Sequence, residues 1–89
     1  MLERQIVVGN RLGLHARAAA RLVQTLARFQ SAAVLARAGR EVNAKSIMGV
    51  MLLAAPKGST VTLRLSGVDE EEAMQAVLDL FESRFDEDA

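Results

Sequence analysis

Cysteine, tryptophan and tyrosine are absent from the 89-residue sequence, and histidine and proline occur once each. Without cysteine there is no disulfide staple, no thiolate nucleophile and no cysteine-ligated zinc or iron–sulfur centre. A single histidine excludes a multi-histidine metal site, and no metal or cofactor is expected. Three phenylalanines make up the whole aromatic content, too few for the stacking platforms that hold single-stranded nucleic acid. The longest apolar run, Ile47 to Pro56, falls far short of the ~20 residues a membrane-spanning helix needs. The start, Met1-Leu2-Glu3-Arg4, lacks the basic segment and apolar run of a secretory signal. The expected location is therefore the cytoplasm, with no membrane insertion. Eleven basic and eleven acidic residues cancel, which removes the simplest electrostatic case for a nucleic-acid partner.

What remains is a folded chain, 51% hydrophobic and 25% charged. At this length it is one domain, residues 1–89, able to bury about 60–65% of its unfolded surface. The charges are segregated: residues 1–68 hold only Glu3 and Glu41 as acids, whereas residues 69–89 hold one base, Arg84. A basic body with an acidic end is either a solvated helix and tail or a face for an acidic partner.

Periodicity divides the chain into seven short elements. Ile6 to Val8, preceded by Leu2, reads as a strand ending at Gly9-Asn10. Ala19, Leu22, Val23, Leu26 and Phe29 then recur at helical spacing, with Arg17, Arg21, Gln24 and Arg28 on the other face. Ala33–Arg37 and Arg40–Asn43 flank Ala38-Gly39 as a hairpin, and Ser46 precedes a short helix it can cap. Thr60–Ser66 alternates as a strand with one wet side. In the last helix Asp69 and Glu72 have capping-box spacing, and Met74, Val77, Leu78, Phe81 and Phe85 supply the buried stripe. The order βαββαβα suits an antiparallel or mixed sheet with helices on one face.

The only histidine stands in Gly13-Leu14-His15-Ala16-Arg17, at the start of the first helix. By itself a loop histidine is an ordinary surface residue; its neighbours argue for more. First-turn amides, here those of Ala16, Arg17 and Ala18, lack intrahelical acceptors and favour an anion. The Arg17 guanidinium adds a charged donor. A phosphoryl group fits, and a neutral imidazole is a nucleophile toward phosphorus. No carboxylate lies between Glu3 and Glu41, so a hydrolytic triad is poorly supported.

Gly13-Leu14-His15-Ala16-Arg17-Ala18-Ala19 with Leu22-Val23 resembles the active-site motif of HPr, the histidine-containing phosphocarrier family of the bacterial phosphotransferase system. Asn43-Ala44-Lys45-Ser46-Ile47-Met48-Gly49-Val50-Met51 resembles that family's regulatory-serine segment, at the family's separation. The resemblance implies an α+β open-faced β-sandwich with a four-stranded antiparallel sheet and three helices. It implies that His15 takes a phosphoryl group on Nδ1 from enzyme I and passes it to an enzyme IIA domain, with Arg17 neutralising the charge. Such a chain is a carrier with a transient phosphohistidine, not an enzyme. Where the family usually has proline this chain has Ala18, which keeps the helix and adds a donor.

Ser46 is explained as a helix cap alone; the resemblance adds phosphorylation by an HPr kinase/phosphorylase, which would put about −1.5 to −2 charges beside a docking surface. Ile47, Met48, Val50, Met51 and Leu52 cannot all face inward from one short helix. An exposed Met-rich edge, rimmed by Arg17, Arg21 and Arg28, suits a monomeric carrier that docks on several acidic partners. The competing readings are a regulatory interaction domain working through Ser46 and this patch, and a small nucleic-acid-binding module, which the missing aromatics disfavour.

Overall fold

A computed structural model of the chain describes residues 1–86. Along the chain run β1 (Leu2–Val7), α1 (Ala16–Ala27), β2 (Ala32–Arg37), β3 (Arg40–Asn43), α2 (Ile47–Leu52), β4 (Thr60–Ser66) and α3 (Glu70–Glu82). The expected order and the open-faced sandwich are both present. All strand pairs are antiparallel, in the order β1-β4-β2-β3. The apolar members of β4 decide the covered face: Leu65 stands between Leu2 and Ala33, Leu63 beside Leu35, and Val61 beside Ile6. Against them pack Ala18, Ala19, Leu22 and Leu26 of α1 and Ala73, Met74, Val77 and Phe81 of α3, all buried. Each large aliphatic side chain buried in this way contributes roughly 1.5–3 kcal/mol.

The open face carries the other half of the alternation. Arg64 lies in register with Glu3 and donates through Nε to Glu3 Oε1 at 3.0 Å and through Nη2 to Glu41 Oε2 at 2.6 Å. The two acids of residues 1–68 are thus both drawn to one guanidinium, across three strands and far from the helices. Ala38 (φ 51°) and Gly39 (φ 82°) form the two-residue turn between Arg37 and Arg40, both left-handed as the twist of a tight hairpin requires.

Three expectations need correction. Strand β1 starts at Leu2 and ends at Val7, because Val8 leaves the ladder to exchange bonds with Gly58 and Ser59. The Asp69–Glu72 capping box does not form. Asp69 instead turns its carboxylate to the Gln30 amide (2.8 Å), the Ser31 amide (2.9 Å) and the Ser31 hydroxyl (2.5 Å), while Glu70 accepts from the Gly67 amide at 3.1 Å. Phe85 is buried, but not on α3: the helix ends at Glu82, and Arg84, Phe85 and Asp86 are all left-handed. That turn swings the Phe85 ring back edge-on to Phe81, 4.8 Å between centroids. Of the expected acidic tail, Glu87 and Asp88 lie outside the described residues.

The Ser31 hydroxyl, followed by the Gln30 amide, holds the Asp69 carboxyl below the ordinary carboxylate range. A carboxyl depressed in the folded state stabilises it above the unfolded value of ~3.9 and loses that contribution as pH falls through the folded value. Asp69→Asn should therefore lower the melting temperature at pH 7 and flatten its decline on acidification. Equal melting at pH 7 would show that the Ser31–Asp69 link carries no stability.

Candidate functional site

A helix cannot satisfy its own first amides, and how α1 solves this brings its N-terminus into use. His15 sits at the N-cap with extended backbone (φ −74°, ψ −179°), its carbonyl accepting from the Ala19 amide at 2.8 Å. The Arg17 amide donates to His15 Nδ1 at 3.3 Å. An imidazole nitrogen that accepts an N–H bond carries the lone pair, so Nδ1 is the basic atom of the ring and faces the helix start.

The loop before His15 is fixed from two sides. Asn10, fully buried, donates through Nδ2 to the Gly13 carbonyl at 2.7 Å, and the Gly13 amide returns a bond to the Asn10 carbonyl at 3.1 Å. Gly13 is left-handed (φ 67°), and a Cβ there would collide with the Ala55 carbonyl oxygen and lie 2.9 Å from Pro56 Cα. The next residue, Leu14, is buried and donates to that same Ala55 carbonyl at 2.9 Å. The segment after α2 is thus the shelf on which the histidine loop rests. Two arginines hold the shelf: Arg37 Nη1 donates to the Leu53 carbonyl at 3.0 Å and Arg40 Nη1 to the Leu52 carbonyl at 3.3 Å.

Ser46 is the N-cap of α2, its hydroxyl accepting from the Gly49 amide at 3.1 Å. The adjacent Lys45 reaches the Phe29 carbonyl just past the end of α1 at 2.8 Å. Lys45 thus ties the segment before α2 to the chain just past α1, while the segment after α2 forms the shelf under the start of α1. His15 caps α1 and Ser46 caps α2, so the two residues stand at the starts of different helices.

Of α2 only Val50 is buried; Ile47, Met48, Met51 and Leu52 are exposed. Arg17 is exposed, and no carboxylate among the described residues pairs with it. Arg21 is half-buried and bridges Asp86 at 3.0 Å, while Arg28 lies over the Phe29 ring, 5.5 Å from its centroid. The arginine rim is thus only partly uncommitted. Ala16 is exposed, and Ala18, at the position where proline was expected, is buried against the core. Sequence reasoning missed Asn10, whose only signal was its place in a Gly-Asn turn, and the exposed Leu12 of the histidine loop. It also missed the shelf, which depends on contacts across forty residues. No helix among the described residues is long and apolar enough to cross a membrane.

A family model described as the PTS HPr component phosphorylation site matches residues 2–83. The chain belongs to the HPr family. It is 61% identical over 88 residues to the phosphocarrier protein HPr of Xylella fastidiosa, covering 99% of both chains. It superposes on a crystal structure of HPr from Thermoanaerobacter tengcongensis with a TM-score of 0.96 at 47% identity, covering both chains fully. An HPr dimer of the same organism matches at a TM-score of 0.78 and 48% identity, covering 98% of this chain and all of that one. As an HPr-family chain it is a phosphocarrier component of the bacterial phosphotransferase system.

The Gly13 constraint gives a sharp test of the loop. Gly13→Ala should destabilise the chain by about 1–3 kcal/mol, the cost of a strained backbone, and weaken the protection of the Leu14 amide from hydrogen exchange. A melt and exchange profile equal to the parent would show that the shelf does not hold the loop.

Proposed function

We propose that His15 accepts a phosphoryl group from phosphorylated enzyme I on Nδ1 and hands it to an enzyme IIA domain, the chain acting as one unit over residues 1–89 in the cytoplasm. The observation that supports this most is the Arg17 amide at Nδ1, which leaves that nitrogen with its lone pair toward the helix N-terminus. In the step, the lone pair forms the new N–P bond as the bond from phosphorus to the donor breaks, its electron pair returning to the donor. The phosphoryl oxygens then take over from Nδ1 as acceptors of the Arg17 amide and can also accept from the first-turn amides of Ala16 and Ala18. The Arg17 guanidinium adds a charged, forked donor. The chain turns over no small substrate of its own; donor and acceptor sites belong to its partners.

Docking is assigned to Ile47, Met48, Met51 and Leu52 with Arg17 and Arg21 beside them, a surface for an apolar and acidic partner face. The transferring species is taken to be the monomer; a relative has been solved as a dimer, and sedimentation of this chain decides between them. His15→Ala should accept no label from phosphoenolpyruvate and enzyme I while keeping its fold. Arg17→Glu should slow acceptance by roughly 10²-fold, the usual loss when a donor to a charged transition state is removed. Arg17→Lys should fall between, because a point charge lacks the planar fork. Parent-like transfer by Arg17→Glu would remove Arg17 from the step.

Phosphorylation of Ser46 by an HPr kinase/phosphorylase is the regulatory half of the reading. On this reading the added charge acts on docking through α2 and not on the imidazole, because Ser46 caps a different helix from the one His15 caps. Ser46→Asp, which keeps a cap, should raise the KM for enzyme I while leaving the hydrolysis rate of phosphorylated His15 unchanged. Ser46→Ala should lose about 0.5–2 kcal/mol of stability with the cap yet remain competent. If Ser46→Asp has the parent's KM, Ser46 is a cap and nothing more.

A further inference from the structure

The absence of cysteine, tryptophan and tyrosine has a consequence for oxidation chemistry. Peroxides that would first meet a thiolate in most proteins find here only four thioethers, and the fold sorts them. Met74 is in the core at 3% exposure. Met1, at 75%, is at the chain start beside α3, where its ammonium pairs with Glu70 at 3.0 Å. Met48, at 70%, and Met51, at 39%, stand on the exposed side of α2, one turn apart. The helix itself does not depend on either: Val50 anchors it to the core, Ser46 caps its start, and Arg37 and Arg40 hold its end.

We propose that Met48 and Met51 are a peroxide-sensitive modification site whose oxidation to sulfoxide slows phosphoryl acceptance by His15. The inference rests on the reading of α2 as the docking surface. In the step, a sulfur lone pair attacks one oxygen of the hydroperoxide. The S–O bond forms as the O–O bond breaks, the thioether is oxidised by two electrons, and the departing hydroxide takes the proton of the transferred oxygen. One hydrogen peroxide becomes one water. The product is a polar, chiral group with a strong acceptor oxygen. A flexible apolar side chain that moulded itself to a partner now carries an oxygen that must be desolvated at the interface. Because neither sulfur supports the core, the fold survives, and sulfoxide reduction restores the surface.

The test treats the intact chain with limiting hydrogen peroxide, maps the added oxygen by peptide mass, and measures the initial rate of phosphorylation by enzyme I. Oxygen should reach Met48 before Met51, with Met74 protected. The rate should fall roughly tenfold, the loss typical of one central apolar contact, while the melting temperature is unchanged. Met48→Leu/Met51→Leu, compared with itself before and after treatment, should keep whatever rate it starts with. Equal oxidation of Met74, parent-like transfer by chain oxidised at Met48, or the same proportional loss in the double leucine variant would overturn the proposal. Met48→Gln, untreated, separates the two levels. If it accepts phosphate at the parent's rate, the docking reading falls and the oxidation proposal with it. If it is slow while the oxidised parent is not, only the oxidation proposal falls.

Discussion

The first turn of α1 has amides that need an acceptor, and the ring of His15 supplies one. Serine, threonine, aspartate and asparagine are the residues that usually fill an N-cap; an imidazole there is an exchangeable cap, because the same nitrogen that accepts the Arg17 amide can instead bond phosphorus. On the proposed reading, phosphorylation would leave the helix start with an acceptor at every stage: the ring nitrogen before transfer and the phosphoryl oxygens after it. That exchange needs the loop under the ring held in place. The loop is held by the side-chain amide of buried Asn10 on one side and by the Ala55 carbonyl on the other.

The same economy of charge runs through the rest of the molecule. Glu3 and Glu41 are both engaged by Arg64 on the open face of the sheet. Asp69 is committed to Gln30 and Ser31, and Asp86 to Arg21. Arg37, Arg40 and Lys45 serve carbonyls at helix ends. Among the described residues Arg17 faces solvent next to the histidine, where on the proposed reading a dianionic phosphoryl group needs a counter-charge and a resident carboxylate would repel it. On the same reading, His15 and Ser46, the caps of two helices in contact with each other, border the docking surface.

Much of this was legible in the sequence because local rules decide it. The alternation of Thr60–Ser66, the helical spacing from Ala19 to Leu26 and the Ser46 cap are properties of a few neighbouring residues and appear where periodicity put them, whereas α1 ends at Ala27 and Phe29 packs on the core from just beyond it. Asp69 is the instructive miss. Its spacing to Glu72 satisfied the capping-box pattern, but Gln30 and Ser31, distant in sequence, offered two amides and a hydroxyl, a better set of donors than the helix start. Phe85 fitted the α3 stripe by spacing and reached the core by a left-handed turn instead. The shelf under His15 was invisible for the same reason: Gly13 and Ala55 are far apart in sequence and meet only in the folded chain. The histidine motif was readable, whereas the geometry that orients its ring was not.

The account depends on which nitrogen of His15 does the chemistry, and long-range ¹H–¹⁵N correlation NMR of the labelled chain reads that directly. Before transfer, Nδ1 should show the shift of an unprotonated acceptor and Nε2 that of an N–H nitrogen. After incubation with phosphoenolpyruvate and enzyme I, ³¹P coupling should appear at Nδ1, on an acid-labile product. Coupling at Nε2, or an acid-stable phosphate elsewhere with His15 unchanged, would contradict it.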